Sequence, residues 1–262
     1  MPTSYASPLE WALRPKPNAQ PTANFERSLA QSSLRRVEAK EFVFAEGDAV
    51  THVFRVEMGA VALYSVLADG RRQILDFAYP GDFIGLGAQR EHLMNAQAII
   101  PTRLRCLPIG TLRQYAARDP LIGLKLYEAL AGELAASREL MLTIGRRSAI
   151  ERVVGFLLAF SRRNEQKRQD PSRIDLPMTR ADIGDFLGLT IETVSRTFTK
   201  LRMLGLIELP CSNHVKLIDA EELANLVEGD RQGPRRAAKL VQRQQTIDPQ
   251  RRTSPQRCAI AT

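Results

Sequence analysis

The sequence predicts an α+β chain in which an N-terminal β-barrel or β-roll is joined by a long helix to a small, mostly helical C-terminal domain. Three observations predict it. Residues 37–110 carry short alternating runs, EFVFAEG, HVFRVEMG, AVALYSVLADG and RRQILDFAYPG, that end at Gly47, Gly59, Gly70 and Gly81, as strands bounded by turns do. From Leu112 to Ile144 apolar residues recur at spacings of three and four, the helical period. From Thr179 to Leu206 two short helices are broken at Gly188.

Taking the chain in order, residues 1–30 contain Pro2, Pro8, Pro15, Pro17 and Pro21 and no sustained period. A disordered arm is expected there, with Phe25 to Leu34 open to helix and Trp11 as its one docking candidate. Asp69-Gly70 marks a hairpin inside the β region, 31–111. His52 and His92 are isolated in sequence, with no partner at metal-ligand spacing, and Cys106 sits in an apolar run as a buried strand residue would.

The helix expected over 112–145 carries Tyr127, Leu130, Leu134, Ser137, Met141 and Ile144 on one narrow stripe. Such a stripe, kept for about five turns, suits the seam of a homodimer; the alternative is an ordinary helix packed on the β domain. Gly145 is expected to interrupt this helix before Arg146-Arg147 and to serve as a hinge. A second apolar helix follows from Ser148 to Phe160, then a polar loop from Asn164 to Asp175.

The domain over 146–229 centres on the broken helix pair. Thr179 and Asp182 form a capping-box-like start, Gly188 supplies the turn, and Thr190 caps the second helix. Ile183, Phe186 and Leu187 face Val194, Phe198 and Leu201, which leaves Glu192, Ser195, Arg196 and Thr199 on one outward face. IELPCSNHVKLID then reads as two short strands, a wing. This is the layout of a winged helix-turn-helix, and the outward face has the chemistry to read double-stranded DNA. Arg196 offers a fork matching guanine O6 and N7, and Glu192 accepts from cytosine N4. Ser195 permits close approach and contact with a thymine. Thr179, Thr190, Thr193, Thr197, Lys200 and Arg202 are candidates for backbone phosphates. The plainer alternative is a surface ion pair between Glu192 and Arg196, worth about 0.3–0.5 kcal/mol.

Composition agrees but discriminates poorly. The formal net charge is +8, yet Arg231, Arg235, Arg236, Lys239, Arg243, Arg251, Arg252 and Arg257, set against Asp230 and Asp248, place +6 of it in the polar tail 230–262. That tail is expected to be disordered, and it suits added sequence-independent DNA affinity and a solubilising or degradation-tag role equally. Three cysteines, Cys106, Cys211 and Cys258, are odd in number and far apart, which suits a reducing cytoplasm. No apolar run is long enough to span a membrane, and the first residues lack a secretory signal, so a cytoplasmic protein without a membrane partner is expected.

Two stretches resemble a known family. The order Ala45-Glu46-Gly47-Asp48, Glu57-Met58-Gly59, Asp69-Gly70-Arg71 and Pro80-Gly81-Asp82-Phe83-Ile84-Gly85 is similar to the cyclic-nucleotide-binding β-roll of CRP/FNR-type bacterial transcription regulators. The run IETVSR resembles the ExxSR signature of the FNR branch. The resemblance implies homodimers that bind TTGA-type half-sites, with Arg196 on the G, Glu192 on the opposite cytosine and Ser195 on a T. It also implies RNA polymerase as a partner and activation as the outcome.

Departures from the family pattern narrow this further. Nucleotide-binding relatives have a glutamate after Ile-Gly and an Arg-Ser pair for the cyclic phosphate; here stand Leu86, and Met94 with Asn95. Neither Met94 nor Asn95 can neutralise a phosphate, although Arg90 and Arg103 lie near in sequence. Cluster-bearing relatives hold iron and sulfur with several thiolates, most near the N-terminus; no cysteine precedes Cys106. The chain therefore looks most like FixK-type regulators, which act without a cofactor in low-oxygen or nitrogen-related control. Some of those carry a redox-active cysteine near the start of the helix-turn-helix, where this chain has Thr179, so Cys211 in the wing is the remaining redox candidate. The competing readings are a regulator of the same fold that senses haem-bound nitric oxide, through His92, or a cyclic nucleotide, and a β-roll enzyme or signalling module. The last needs a catalytic group in the roll, and the sequence offers no candidate there.

Overall fold

The computed structural model describes residues 23–87 and 89–228. The expected arm before residue 23, the docking reading of Trp11, Cys258 and the basic tail 230–262 lie outside the described residues.

Helix α1 (Ala23–Gln31) comes first. Phe25 and Leu29, one turn apart, are buried against Val53, Leu107, Leu112 and Ile122. The end of the expected arm is therefore docked, and Leu34 belongs to the first strand rather than to a helix. The roll consists of β1 (Ser33–Val37), β2 (Phe42–Phe44), β3 (His52–Val66), β4 (Arg72–Ala78), β5 (Phe83–Ile84) and β6 (Asn95–Pro108). All pairs are antiparallel, in the order β1-β6-β3-β4, with β2 also on β6 and β5 on β3. Val56, Val61, Leu63, Ala96, Ala98, Leu104 and Cys106 fill the interior, and burial pushes the Cys106 thiol up from its ordinary value. Such a thiol stays protonated and inert.

Gly59 does not end a strand. HVFRVEMG and AVALYSV form one continuous strand, β3, which bends at Gly59 with φ 97°. A Cβ there would lie 2.7 Å from the Pro101 carbonyl oxygen, and the register against β6 shifts on either side. The glycine lets two backbones approach where the sheet bends, a use of the residue that looks like a turn in sequence.

The helix expected over 112–145 is two helices, α2 (Ile109–Arg118) and α3 (Pro120–Arg146). Asp119 separates them; its carboxylate accepts the Leu121 N–H at 3.0 Å. Pro120 occupies the first turn, where the missing N–H costs nothing. Gly145 does not interrupt α3, since one glycine costs only about 1 kcal/mol relative to alanine. The break falls at Arg147, in extended geometry, because Ser148 opens α4 (Ala149–Gln166), its N–H and hydroxyl both donating to the Glu151 carboxylate at 2.7 Å. Buried Ile122 and Leu140 anchor the two ends of α3.

The expected loop from Asn164 is shorter than its polarity suggests, because α4 runs to Gln166 and β7 (Arg173–Asp175) joins the wing. Next come α5 (Arg180–Leu187), α6 (Ile191–Met203), β8 (Ile207–Cys211), β9 (His214–Leu217) and α7 (Ala220–Glu228), with the wing sheet ordered β7-β9-β8.

The two halves share one core. Ala60, Ala62, Tyr64, Ile74, Phe77 and Tyr79 on the outer face of the roll join Phe156, Phe160, Phe186 and Leu187 in a single apolar cluster. Polar ties reinforce it. Arg72 on β4 pairs with both Asp182 and Asp185 of α5, and Gln73 donates to the Asp185 carbonyl at 2.6 Å. Arg163 of α4 meets Asp82 of the roll at 3.3 Å, with both side chains buried, and stacks 4.2 Å over the Tyr79 ring.

Candidate nucleic-acid interface

The helix pair is built from local signals. The Thr179 hydroxyl accepts the Asp182 N–H at 3.1 Å, and the Asp182 carboxylate accepts the Thr179 N–H at 2.8 Å. The two orphan donors at the start of α5 are thereby satisfied. Gly188 ends α5 in left-handed geometry, φ 64°, and Thr190 caps α6 by accepting the Thr193 N–H at 3.2 Å. Ile183, Phe186 and Leu187 pack against Val194, Phe198 and Leu201, and all six are buried.

That packing turns the opposite side of α6 outward. Glu192, Ser195, Arg196, Thr199, Lys200 and Arg202 are all exposed. Arg196 is exposed, and what remains of the surface-pair alternative is a small electrostatic influence of its charge on the Glu192 carboxyl. The Glu192 carboxyl is held below its ordinary value, first by its own backbone N–H, then by the Thr190 hydroxyl, with a smaller contribution from Arg196. It is an ionised acceptor in the first turn, where the helix dipole favours one.

The predicted phosphate contacts divide. Lys200 and Arg202 flank the outward face, and Thr179, Thr190 and Thr193 sit at helix starts with their hydroxyls engaged in capping. Thr197 is a correction: it is buried and donates its hydroxyl to the Thr193 carbonyl at 2.7 Å, because its place between Val194 and Phe198 puts it at the core edge. Arg180 was not singled out from sequence. Its guanidinium stacks 3.4 Å over the Phe198 ring and donates to the Ser212 carbonyl at 3.1 Å, tying α6 to the wing turn. Burial lowers it to about 10, still charged at neutral pH. An arginine next to a helix start gives no sequence cue to this role, since Phe198 and Ser212 are distant in the chain. Cys211 is half-buried on β8, opposite His214 of β9.

On α3 the expected stripe is outward over most of its length. Tyr127 is 70% exposed and Met141 74%, with Leu130, Leu134 and Ser137 exposed between them; Leu121 and Leu124 extend the apolar surface toward the start of the helix. Ile144 is a second correction. It is half-buried, and its Cγ2 would lie 3.3 Å from a Cβ at Gly188, so it packs on its own helix-turn-helix turn. The last turn of α3 has already met α5 there.

Inside the roll is a cavity of about 140 Å³ lined by residues including Phe44, Leu63, Ile84, Leu86, Glu91, His92 and Met94, with Glu133 reaching in from α3. It is smaller than typical ligand pockets of about 300–1,000 Å³. Among the described residues no lysine or arginine lines it, Arg90 and Arg103 included, and the Asn95 amide is engaged with the Glu46 N–H and Tyr64 carbonyl. His92 stacks on Phe44 with ring centroids 3.6 Å apart, and burial lowers its pKa, which favours the neutral ring. Two carboxylates and a neutral imidazole do not fit a cyclic phosphate. Among the described residues no group of three or more His, Cys, Asp or Glu could hold a metal, and no helix is long and apolar enough to cross a membrane.

A roll joined by a long helix to a winged helix-turn-helix with an open Glu-Ser-Arg face defines a DNA-binding transcription regulator. Comparisons with known proteins agree. Residues 151–226 match the Crp-like helix-turn-helix domain, and residues 34–119 match the cyclic nucleotide-binding domain. The chain is 41% identical over 169 residues to the nitrogen fixation regulation protein FixK of Bradyrhizobium diazoefficiens, covering 64% of this chain and 71% of the relative. It is 36% identical over 202 residues to a probable transcriptional activator of Rhizobium leguminosarum bv. viciae, covering 77% and 84%. Its fold superposes on the structure of FixK2 from Bradyrhizobium japonicum with a TM-score of 0.71 at 37% identity, covering 74% of this chain and 96% of that one. The chain belongs to the CRP/FNR family and is a FixK-like transcriptional activator, not an enzyme.

Proposed function

We propose that the chain acts as a cytoplasmic homodimer that binds a TTGA-N6-TCAA palindrome without a bound cofactor and recruits RNA polymerase to genes of low-oxygen or nitrogen-related metabolism. The observation that carries this reading is the open face of α6, where the exposed Arg196 guanidinium stands beside an ionised Glu192. Arg196 reads the guanine of TTGA, Glu192 the cytosine opposite, and Ser195 a thymine. The exposed apolar surface of α3 supports the dimer, since a monomer gains nothing by leaving Leu130, Leu134 and Met141 in water. Two reading helices then lie about 34 Å apart, one duplex turn. Lys200 and Arg202 fix register through phosphates. Absence of a cofactor is supported by the roll cavity, which is small and, among the described residues, carries no cation for a phosphate.

The test is fluorescence anisotropy with the full chain, the palindrome and a scrambled duplex at about 0.15 M salt. A preference of about a thousandfold or more for the palindrome is expected. Equal affinity for the two duplexes would falsify the reading.

A further inference from the structure

Arg152, in the first turns of α4, is bonded in a way that the DNA-reading face does not explain. Its Nε donates to the Arg147 carbonyl at 2.9 Å and its Nη2 to the Ile144 carbonyl at 2.5 Å. Its Nη1 donates to the Leu187 carbonyl at 3.0 Å and reaches the Gly188 carbonyl at 3.4 Å. Ile144 belongs to the last turn of α3, Arg147 is the linker, and Leu187 with Gly188 is the turn between α5 and α6. One side chain thus joins the dimer-seam helix, the linker and the helix-turn-helix turn.

The chemistry suits the place. The ends of α3 and α5 present carbonyls without intrahelical partners, and both carry the negative end of a helix dipole. A guanidinium answers both needs, and its planar fork holds several acceptors in fixed directions, which an ammonium on a flexible stem cannot do. The turn is seated directly on this joint: a Cβ at Gly188 would lie 3.3 Å from Ile144 Cγ2 and 3.6 Å from Arg152 Nη1.

We infer that Arg152 is a positioning residue that sets the angle between the dimer helix and each reading helix, and so selects the half-site spacing the dimer accepts. This rests on the palindrome reading above. The reading helix is 13 residues, about 20 Å, long and starts at the joint, so a swing of about 10° there moves its far end about 3 Å, on the order of one base-pair rise. A loosened joint therefore spreads binding over neighbouring spacings and leaves the reading of each half-site intact.

The experiment measures affinities of the wild type, Arg152→Ala and Arg152→Lys for palindromes with N5, N6 and N7 spacers and for a duplex with a single half-site. The wild type is expected to prefer N6 by at least tenfold over N5 and N7. Both variants are expected to lose at least tenfold on N6, to bind all three spacers within about threefold of one another, and to keep single-half-site affinity within about threefold of wild type. Equal losses on the half-site and the palindrome would mean that Arg152 only supports the fold, and an undiminished N6 preference would mean that the joint is held elsewhere; either overturns the inference. Arg152→Lys keeps the charge and decides the matter if Arg152→Ala does not fold. A wild type that binds the palindrome but ignores spacing overturns this inference alone, whereas one that cannot tell the palindrome from a scrambled duplex overturns the functional reading as well.

Discussion

Replacing Arg163 by methionine should destabilise the protein by about 3–5 kcal/mol, the range for breaking a buried ion pair by removing one partner. The side chains of Arg163 and Asp82 are 6% and 7% exposed, so neither has water to fall back on. Without the guanidinium, the Asp82 carboxylate keeps the Tyr79 N–H at 2.8 Å as its one described donor, and Tyr79 loses the cation stacked on its ring. At about 2–4 °C per kcal/mol for a chain of this size, the melting temperature should fall by roughly 6–20 °C. The double variant Asp82→Asn with Arg163→Met should recover much of the loss, because the amide oxygen still accepts from Tyr79 and no buried charge is left. The assay is thermal melting of both variants and of Asp82→Asn, closing a double-mutant cycle. A loss under about 1 kcal/mol for Arg163→Met, or a double variant worse than the sum of the singles, would refute the argument that this pair ties the roll to the DNA-binding half.

Other perturbations follow from the same structure. Burial holds the pKa of His92 below its ordinary 6.5, so the unfolded chain takes up a proton first as the pH falls. Its contribution to stability is whole above about 6.5, is lost as the pH drops below that, and levels off at the lower folded-state value. His92→Gln should flatten this part of a plot of melting temperature against pH; an unchanged slope between pH 7.5 and 5.5 would contradict the assignment. Leu134→Glu places a charge in the exposed stripe of α3 and should shift the sedimentation profile from dimer to monomer, with loss of palindrome affinity. Gly59→Ala combines a left-handed backbone with overlap on Pro101 and Thr102, and should cost about 2–4 kcal/mol in a denaturant melt.

What could be read from the chain divides by the range of the signal. The helix-turn-helix was legible because its cues are local: Thr179 with Asp182, Gly188, and Thr190 lie within twelve residues, and each satisfies backbone groups of its own helix. The break at Asp119-Pro120 had a local cue too, a capping residue followed by proline, but the apolar stripe running through it suggested one helix. Gly59 misled because a glycine at a turn and a glycine where two strands press together look alike in sequence. The joining of the halves was not legible at all. Arg72 meets Asp182 and Asp185, and Asp82 meets Arg163, across separations over which one sequence carries no pairing signal. Thr197 was misplaced by one position on the helix wheel, where a short polar residue fits the core edge by bonding back to its own helix.

Base reading by α6 is tested most directly by a cycle pairing Arg196→Ala with replacement of the guanine in both TTGA half-sites by adenine. If Arg196 holds that guanine, the wild type loses about 1–3 kcal/mol of binding per half-site on the altered duplex. Arg196→Ala should bind both duplexes equally, at about the affinity of the wild type for the altered one. An Arg196→Ala protein that still prefers guanine by the wild-type margin would contradict the assignment of the reading face.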